Sequence, residues 1–211
     1  MTSTPRRTQQ QRREATITKL LDATVDALGE VGYARTTVQE ICTRADVSQG
    51  GLFRHFPTRL DLVIAAADEV RARQFEAFSK GLANVGSDSL AACLRLVREA
   101  CRAPMNAAWY ELLIASRHDA ELRERLAPLA AQYHAEIAEF ARDQAADLPL
   151  PPDSVDTVIF TIVHLFDGEA LAAAVHPQPE QEDMRLRMLE HLLRGGSLYD
   201  PVQPAIPSTN G

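Results

Sequence analysis

Cysteine is scarce in this 211-residue chain, and the three present, Cys42, Cys93 and Cys101, show no metal-type spacing. A zinc framework is therefore unsupported, and the three are expected to sit as small reduced hydrophobes. The six histidines, at 55, 118, 134, 164, 176 and 191, include no two at helical ligand spacing. Any metal would have to be assembled across helices, so neither a metal nor a cofactor is expected. Long uncharged apolar runs are also missing. The most apolar stretch, Val155 to Val175, carries Asp156, His164, Asp167 and Glu169, which argues against a membrane span. Met1 to Glu14 is polar without an apolar run, unlike a secretory leader, and the expected location is the cytoplasm. Absent too are a glycine-rich phosphate loop, a nucleophile elbow and any paired catalytic signature. An enzyme is not expected. The alternative is a helical enzyme, or a ligand-binding protein whose amino-terminal head is not used for DNA.

What remains is an ordinary globular composition, 24% charged and 45% hydrophobic, in a chain long enough to bury a full core. The formal net charge of −7 argues against a polyanionic partner until it is divided by position. Residues 1 to 60 hold nine Lys or Arg against six Asp or Glu, whereas the remainder holds thirteen against twenty-three. An acidic body with a basic head orients one end toward a polyanion.

That head contains Thr36 to Arg59, TTVQEICTRADVSQGGLFRHFPTR, with two short helical patterns too close together for an intervening strand. Thr37 with Glu40 reads as a capping box. Val38, Ile41, Cys42 and Ala45 then form one apolar face. Asp46 tolerates a left-handed conformation and ends the first helix. Ser48 caps the second, Gln49 to His55. Gly50 and Gly51 in its first turn each weaken it by about 1 kcal/mol relative to alanine. Such a placement makes sense where a partner approaches the backbone, as DNA does at a recognition helix.

These residues resemble the DNA-binding domain of the tetracycline-repressor (TetR) family. That family's pattern has a Thr-led second helix, a turn ending in Val-Ser, a recognition-helix Gly, an aromatic, His-Phe and a basic residue opening the fourth helix. Here they are Thr37, Val47-Ser48, Gly50, Phe53, His55-Phe56 and Arg59. The resemblance reaches back to Gly32-Tyr33 and spans roughly residues 12 to 75. Three positions depart from it: Phe53 stands for Tyr and loses a phosphate-contacting hydroxyl, Arg59 stands for Lys, and Asp46 stands for the turn glycine. The resemblance implies a homodimeric regulator, a repressor by expectation, on a palindromic double-stranded operator. A small, mainly apolar effector in the second domain would release it, DNA and effector affinities being reciprocally coupled.

The expected DNA-facing set is Thr36, Thr37, Ser48, Gln49, Gly50, Gly51, Phe53, Arg54, His55 and Arg59. Gln49 is the expected base reader, because its amide can pair bidentately with adenine. Thr36, Thr37, Ser48, His55 and Arg59 are expected phosphate anchors, and Arg54 can take a guanine or a phosphate. Leu52 and Phe56 read as core.

An all-α fold is expected throughout, because no strand-like alternation follows Ser89. The expected division is a disordered basic arm at 1–11, a helix-turn-helix domain at 12–57, a helical ligand-binding and dimerisation domain at 58–198, and a disordered tail at 199–211. Thr58 with Asp61 opens a long fourth helix, and Asn84 to Ser89 breaks it. Asp119 caps a seventh helix that Pro128 is expected to kink. The last two helical segments, Asp153 to Val175 and Glu180 to Leu193, are rich in apolar residues. By resemblance they pair with their copies in a second subunit. Expected effector-lining residues are Phe75, Phe78, Trp109, Leu113, Tyr133, Phe160, His164, Phe166 and Asp167. His164 and Asp167 share one face of an apolar helix and fit a ligand anchor, a buried hydrogen bond or a dimer contact.

Overall fold

The computed structural model describes residues 8–84, 90–144 and 148–197, and every regular element among them is an α-helix. In chain order these are α1 (Gln9–Val31), α2 (Val38–Ala45), α3 (Gln49–His55), α4 (Arg59–Asn84), α5 (Leu90–Arg102), α6 (Asn106–Ala115), α7 (Ala120–Gln144), α8 (Val155–Ala173) and α9 (Pro179–Leu193). The all-α expectation holds. Helix α1 starts earlier than expected because Thr8 and Gln11 form a reciprocal capping box, Gln11 N to Thr8 Oγ1 at 3.2 Å and Thr8 N to Gln11 Oε1 at 2.9 Å. The rest of the expected arm, the expected tail and most of the break after Asn84 lie outside the described residues. Pro128 sits inside α7, which continues past it to Gln144.

The chain divides into two compact units, one of Met1–Ala77 with Ala103–His134, the other of Phe78–Arg102 with Ala135–Gly211. Neither is continuous in sequence, because α6 returns to pack on α1. In the first unit Leu20, Ala23, Ile41, Cys42, Ala45, Leu52 and Leu62 form one core cluster, with Leu21, Val38, Val47 and Phe56 packed against it. Thr24, the polar member of the α1 stripe, is fully buried and donates its hydroxyl to the Leu20 carbonyl at 2.7 Å. That hydrogen bond offsets the cost of desolvating the hydroxyl. Further along α4 a buried polar chain links three helices. Tyr133 donates to Gln74 Oε1 at 2.7 Å, the Gln74 amide donates to Asn106, and Asn106 reaches Tyr110. These buried polar side chains are tolerated because each of them has a partner.

The second unit packs α5 against α8 and α9. Its apolar cluster is Leu94, Cys101, Ile162, Phe166 and Leu193. Beside it lies a charge cluster that no local sequence spacing announces. Glu169, its side chain 2% exposed, accepts from Arg98 at 2.6 Å, Arg102 at 2.8 Å and Arg185 at 2.8 Å. Glu182 accepts from Arg98 and Arg102, each at 2.8 Å. Two carboxylates thus hold three guanidiniums from α5 and α9 against α8. Hydrogen bonding to Arg102, then to the Gln178 amide, keeps the Glu182 carboxyl below its ordinary range. Its contribution is complete above the usual carboxylate pKa of about 4 and is lost as pH falls through its lowered folded value.

Removing the Glu169 charge takes one of two buried carboxylates from Arg98 and Arg102, which keep Glu182, and the charged partner from Arg185, a change that costs about 1–3 kcal/mol, the range for a weakened buried charged hydrogen bond. Glu169→Gln is expected to lower stability by that order in urea unfolding. A change below about 0.5 kcal/mol, the usual range for surface substitutions, would contradict the role given to the cluster.

Candidate nucleic-acid interface

The interface is built by two caps and one left-handed residue. Thr37 Oγ1 accepts the Glu40 amide at 3.2 Å and opens α2. Glu40 does not reach back, because its carboxylate accepts from Arg44 Nε at 2.7 Å, so the reciprocal half of the expected capping box is absent. Asp46 has φ 53° and ψ 49°, the left-handed conformation expected of it. Ser48 Oγ accepts the Gly51 amide at 3.1 Å and opens α3. Leu52, 0% exposed, then anchors α3 in the core cluster. With 100° between successive helical residues, an inward Leu52 turns Gly50, Phe53 and Arg54 outward. Gln49, Gly50, Phe53 and Arg54 are all exposed. Phe53 is 47% exposed, a large apolar ring on the surface.

The two glycines have different causes. A Cβ on Gly51 would lie 2.9 Å from Val47 Cγ1 and 3.3 Å from Ser48 Oγ, so the turn itself excludes one there. Gly50 meets nothing within 4 Å and its outer side is open. Only Gly50 matches the sequence-based argument from close approach; Gly51 is required by the capped turn.

The expected phosphate anchors divide as well. Thr37 and Ser48 are exposed, and both hydroxyls also cap helices. Thr36 is a correction: it is fully buried, and its hydroxyl donates to the Gly32 carbonyl at 2.9 Å. No hydroxyl remains for a phosphate. Arg59 is half-buried and has partners within the chain. Its Nη1 donates to the Tyr33 carbonyl at 3.1 Å and the Thr36 carbonyl at 3.0 Å, and its guanidinium lies 4.4 Å from the Tyr33 ring centroid. A cation held this way ties the fourth helix to the end of the first. His55 is half-buried, and its Nδ1 is enclosed without a hydrogen-bond partner among the described residues. Arg44 is neutralised by Glu30 and Glu40, each at 2.7 Å. Arg54 is exposed with no partner among the described residues. Arg35, missing from the sequence-based set, is exposed near Thr37 with its Nε on the Val31 carbonyl at 2.8 Å. Its place just ahead of the Thr-led helix was the available signal.

The expected effector-lining residues are divided between the two units. In the first unit Tyr133 stacks edge-on with Phe75, centroids 5.7 Å apart, and with Trp109 at 5.4 Å. Leu113 is 40% exposed. In the second unit Phe78 packs on Phe140 at 5.1 Å, and Phe160 lies 6.2 Å from the His164 ring. His164 is exposed, while Phe166 is fully buried in the apolar cluster. The Cys101 thiol hydrogen-bonds Asp167, and burial, then the Asp167 charge, push its pKa well up. None of the nine lines either of two second-unit cavities that lie among the described residues. One, about 90 Å³, is walled by α5 and α8 through Leu94, Val97, Val158, Ile162 and Cys93, and by the segment preceding α8 through Leu148 and Leu150. The other, about 190 Å³, lies beside the charge cluster at Glu169, Glu182 and Arg185.

Residues 20–66 match the family model for bacterial regulatory proteins of the tetR family. Over 192 residues the chain is 42% identical to an uncharacterised HTH-type transcriptional regulator of Mycobacterium tuberculosis, an alignment covering 90% of this chain and 98% of the relative. In fold it is similar to a TetR-family member from Streptomyces coelicolor, with TM-score 0.65, 20% identity and coverage of 84% of this chain and 98% of that one. It is likewise similar to the multidrug-binding protein EbrR complexed with malachite green, with TM-score 0.58, 22% identity and coverage of 84% and 97%. No described helix is long and apolar enough to cross a membrane. A capped helix-turn-helix at the matched positions, and a relative at 42% identity along nearly its whole length, make this chain a member of the TetR family of transcriptional regulators.

Proposed function

We propose that the protein is a cytoplasmic repressor that binds a palindromic operator as a homodimer and leaves it when a small apolar molecule occupies the second unit. The observation that carries the DNA reading is the exposure of Gln49, Gly50, Phe53 and Arg54 along α3, with Gly50, Phe53 and Arg54 turned away from the buried Leu52 and Gln49 exposed in the first turn. Gln49 supplies an amide for adenine, Phe53 an apolar ring for a thymine methyl, and the open backbone at Gly50 allows close approach. Arg54, with Thr37, Ser48, His55 and Arg35, supplies phosphate contacts.

Homodimerisation is supported by α8 and α9. Thr157, Thr161, His164, Gly168 and Leu171 are exposed at alternating spacings of four and three, which places them on one helical stripe. Leu171 is 47% exposed, Val175 89% and Met184 42%. Exposed apolar side chains such as these mark an interface when they are contiguous. A Cβ on Gly168 would meet nothing within 4 Å, leaving room for a second helix. With one recognition helix per subunit, the half-sites fall about 34 Å apart, one turn of the duplex.

The effector reading rests on the cavity of about 90 Å³ walled by Leu94, Val97, Val158 and Ile162. Its lining is aliphatic apart from the Cys93 thiol, which favours an uncharged, apolar molecule. That EbrR was solved with malachite green supports a ligand-responsive function for this fold.

Binding of selected duplex DNA tests the division of labour. Gln49→Ala is expected to cost about 1–3 kcal/mol on the preferred site and to relax preference at one base position. Arg54→Ala is expected to weaken all sequences alike and to reduce the salt slope by about one. Arg59→Ala should leave that slope unchanged and lower the melting temperature, since its guanidinium serves backbone carbonyls. Equal losses on every sequence for Gln49→Ala and Arg54→Ala would refute the assignment. For the interface, Leu171→Glu is expected to yield monomers in sedimentation at micromolar concentration, and an unchanged dimer would place the contact elsewhere.

A further inference from the structure

Tyr33 sits where five segments of the first unit meet. Gly32 ends α1 at φ 82°, and a Cβ there would lie 3.0 Å from Glu111 Oε2 on α6. The Tyr33 amide donates to that same oxygen at 3.4 Å. Its hydroxyl donates to Asp119 Oδ2 at 3.2 Å, just ahead of α7. The other Asp119 oxygen caps α7 by accepting the Leu122 amide at 2.9 Å. Over the ring lies the Arg59 guanidinium from the start of α4, which also holds the Tyr33 and Thr36 carbonyls. A second strut runs parallel: Asp61 of α4 pairs with Arg125 of α7 at 2.7 Å.

We propose that Tyr33 is a positioning residue for operator recognition: it fixes the orientation of the helix-turn-helix relative to α6 and α7, and thereby the half-site spacing that the dimer accepts. This rests on the DNA and dimer reading above. The reasoning is geometric. The helix-turn-helix has its own core, centred on Leu52, Ile41 and Leu20, so α2 and α3 keep their mutual arrangement without Tyr33. What Tyr33 adds is outside that core. Its amide and hydroxyl reach two carboxylates carried by α6 and the start of α7, and its ring receives the cation that opens α4. Burial, outweighing the Arg59 charge, raises the Tyr33 hydroxyl pKa. The hydroxyl is therefore protonated, and a donor to Asp119, across the neutral range.

A merely structural Tyr33 and a positioning Tyr33 differ in one readout. Tyr33→Phe removes the Asp119 tie but keeps the ring under Arg59 and the amide on Glu111, and the α7 cap uses the other Asp119 oxygen. Glu111→Gln weakens the second tie without changing side-chain shape. Wild type is first used to select a two-half-site duplex from a random library. Affinities of the wild type and both variants are then measured for that duplex, for versions with the spacer lengthened or shortened by one and two base pairs, and for an isolated half-site.

The expected result is half-site affinity equal to wild type, with the preference for the selected spacing over its neighbours reduced about five- to tenfold, the scale of a lost hydrogen bond to a charged group. Thermal melting checks that all proteins are folded at the assay temperature. An unchanged spacing profile in both variants, or half-site and full-site affinities falling in the same proportion, would overturn the proposal while leaving the DNA reading intact. Failure of the wild type to enrich any duplex would overturn both.

Discussion

Burial of Leu52 is the constraint on which the rest depends. A seven-residue helix opening with two glycines has little stability of its own, since isolated helices this short do not persist in water. It exists here because Leu52 is fully enclosed by a cluster that includes Leu20, Ala23, Ile41 and Leu62, with Ser48 capping one end and Val47 and Phe56 packed at either side. The same burial that makes α3 a helix also decides which way it faces. Gly50, Phe53 and Arg54 are outward because Leu52 is inward, so fold and function share one cause.

Electrostatics in this chain is mostly internal. The head carries an excess of basic residues in the sequence, yet Arg44 is paired with Glu30 and Glu40, and Arg59 is committed to two carbonyls and an aromatic ring. The charge available to a polyanion is smaller than the count suggests; among the described residues of the helix-turn-helix, Arg54 and Arg35 are the exposed cations without a carboxylate partner. Carboxylates play the complementary structural part. Asp61 and Asp119 are both held below the ordinary carboxylate range, Asp61 first by Arg125 and Asp119 first by the Leu122 amide. In the second unit Glu169 and Glu182 gather guanidiniums from α5 and α9.

Local patterns were readable from the sequence. The caps at Thr37, Ser48, Thr58 and Asp119, the left-handed Asp46 and the core roles of Leu52 and Phe56 each depend on neighbours within a few positions, where spacing is informative. Contacts between distant residues were not readable. Thr36 looked like a surface hydroxyl because nothing local reveals that the corner after Gly32 closes over it. Arg59 gave no sign of its stacking partner because Tyr33 lies 26 positions earlier. The Glu169 cluster joins residues up to 84 positions apart. Expected effector-lining residues were chosen by size and helical face, properties shared by core residues, and they fall in two different units. Glycine shows the limit most clearly: Gly50 and Gly51 are adjacent and alike in sequence, yet one faces open space and the other fills a turn.

The central claim, that α3 presents its Leu52-opposed face to duplex DNA, is tested most directly by amide hydrogen exchange with and without a selected duplex. The account predicts slowed exchange across Thr37 to His55, with α5, α8 and α9 unchanged. Exchange that slows elsewhere while this segment stays as it was would contradict it.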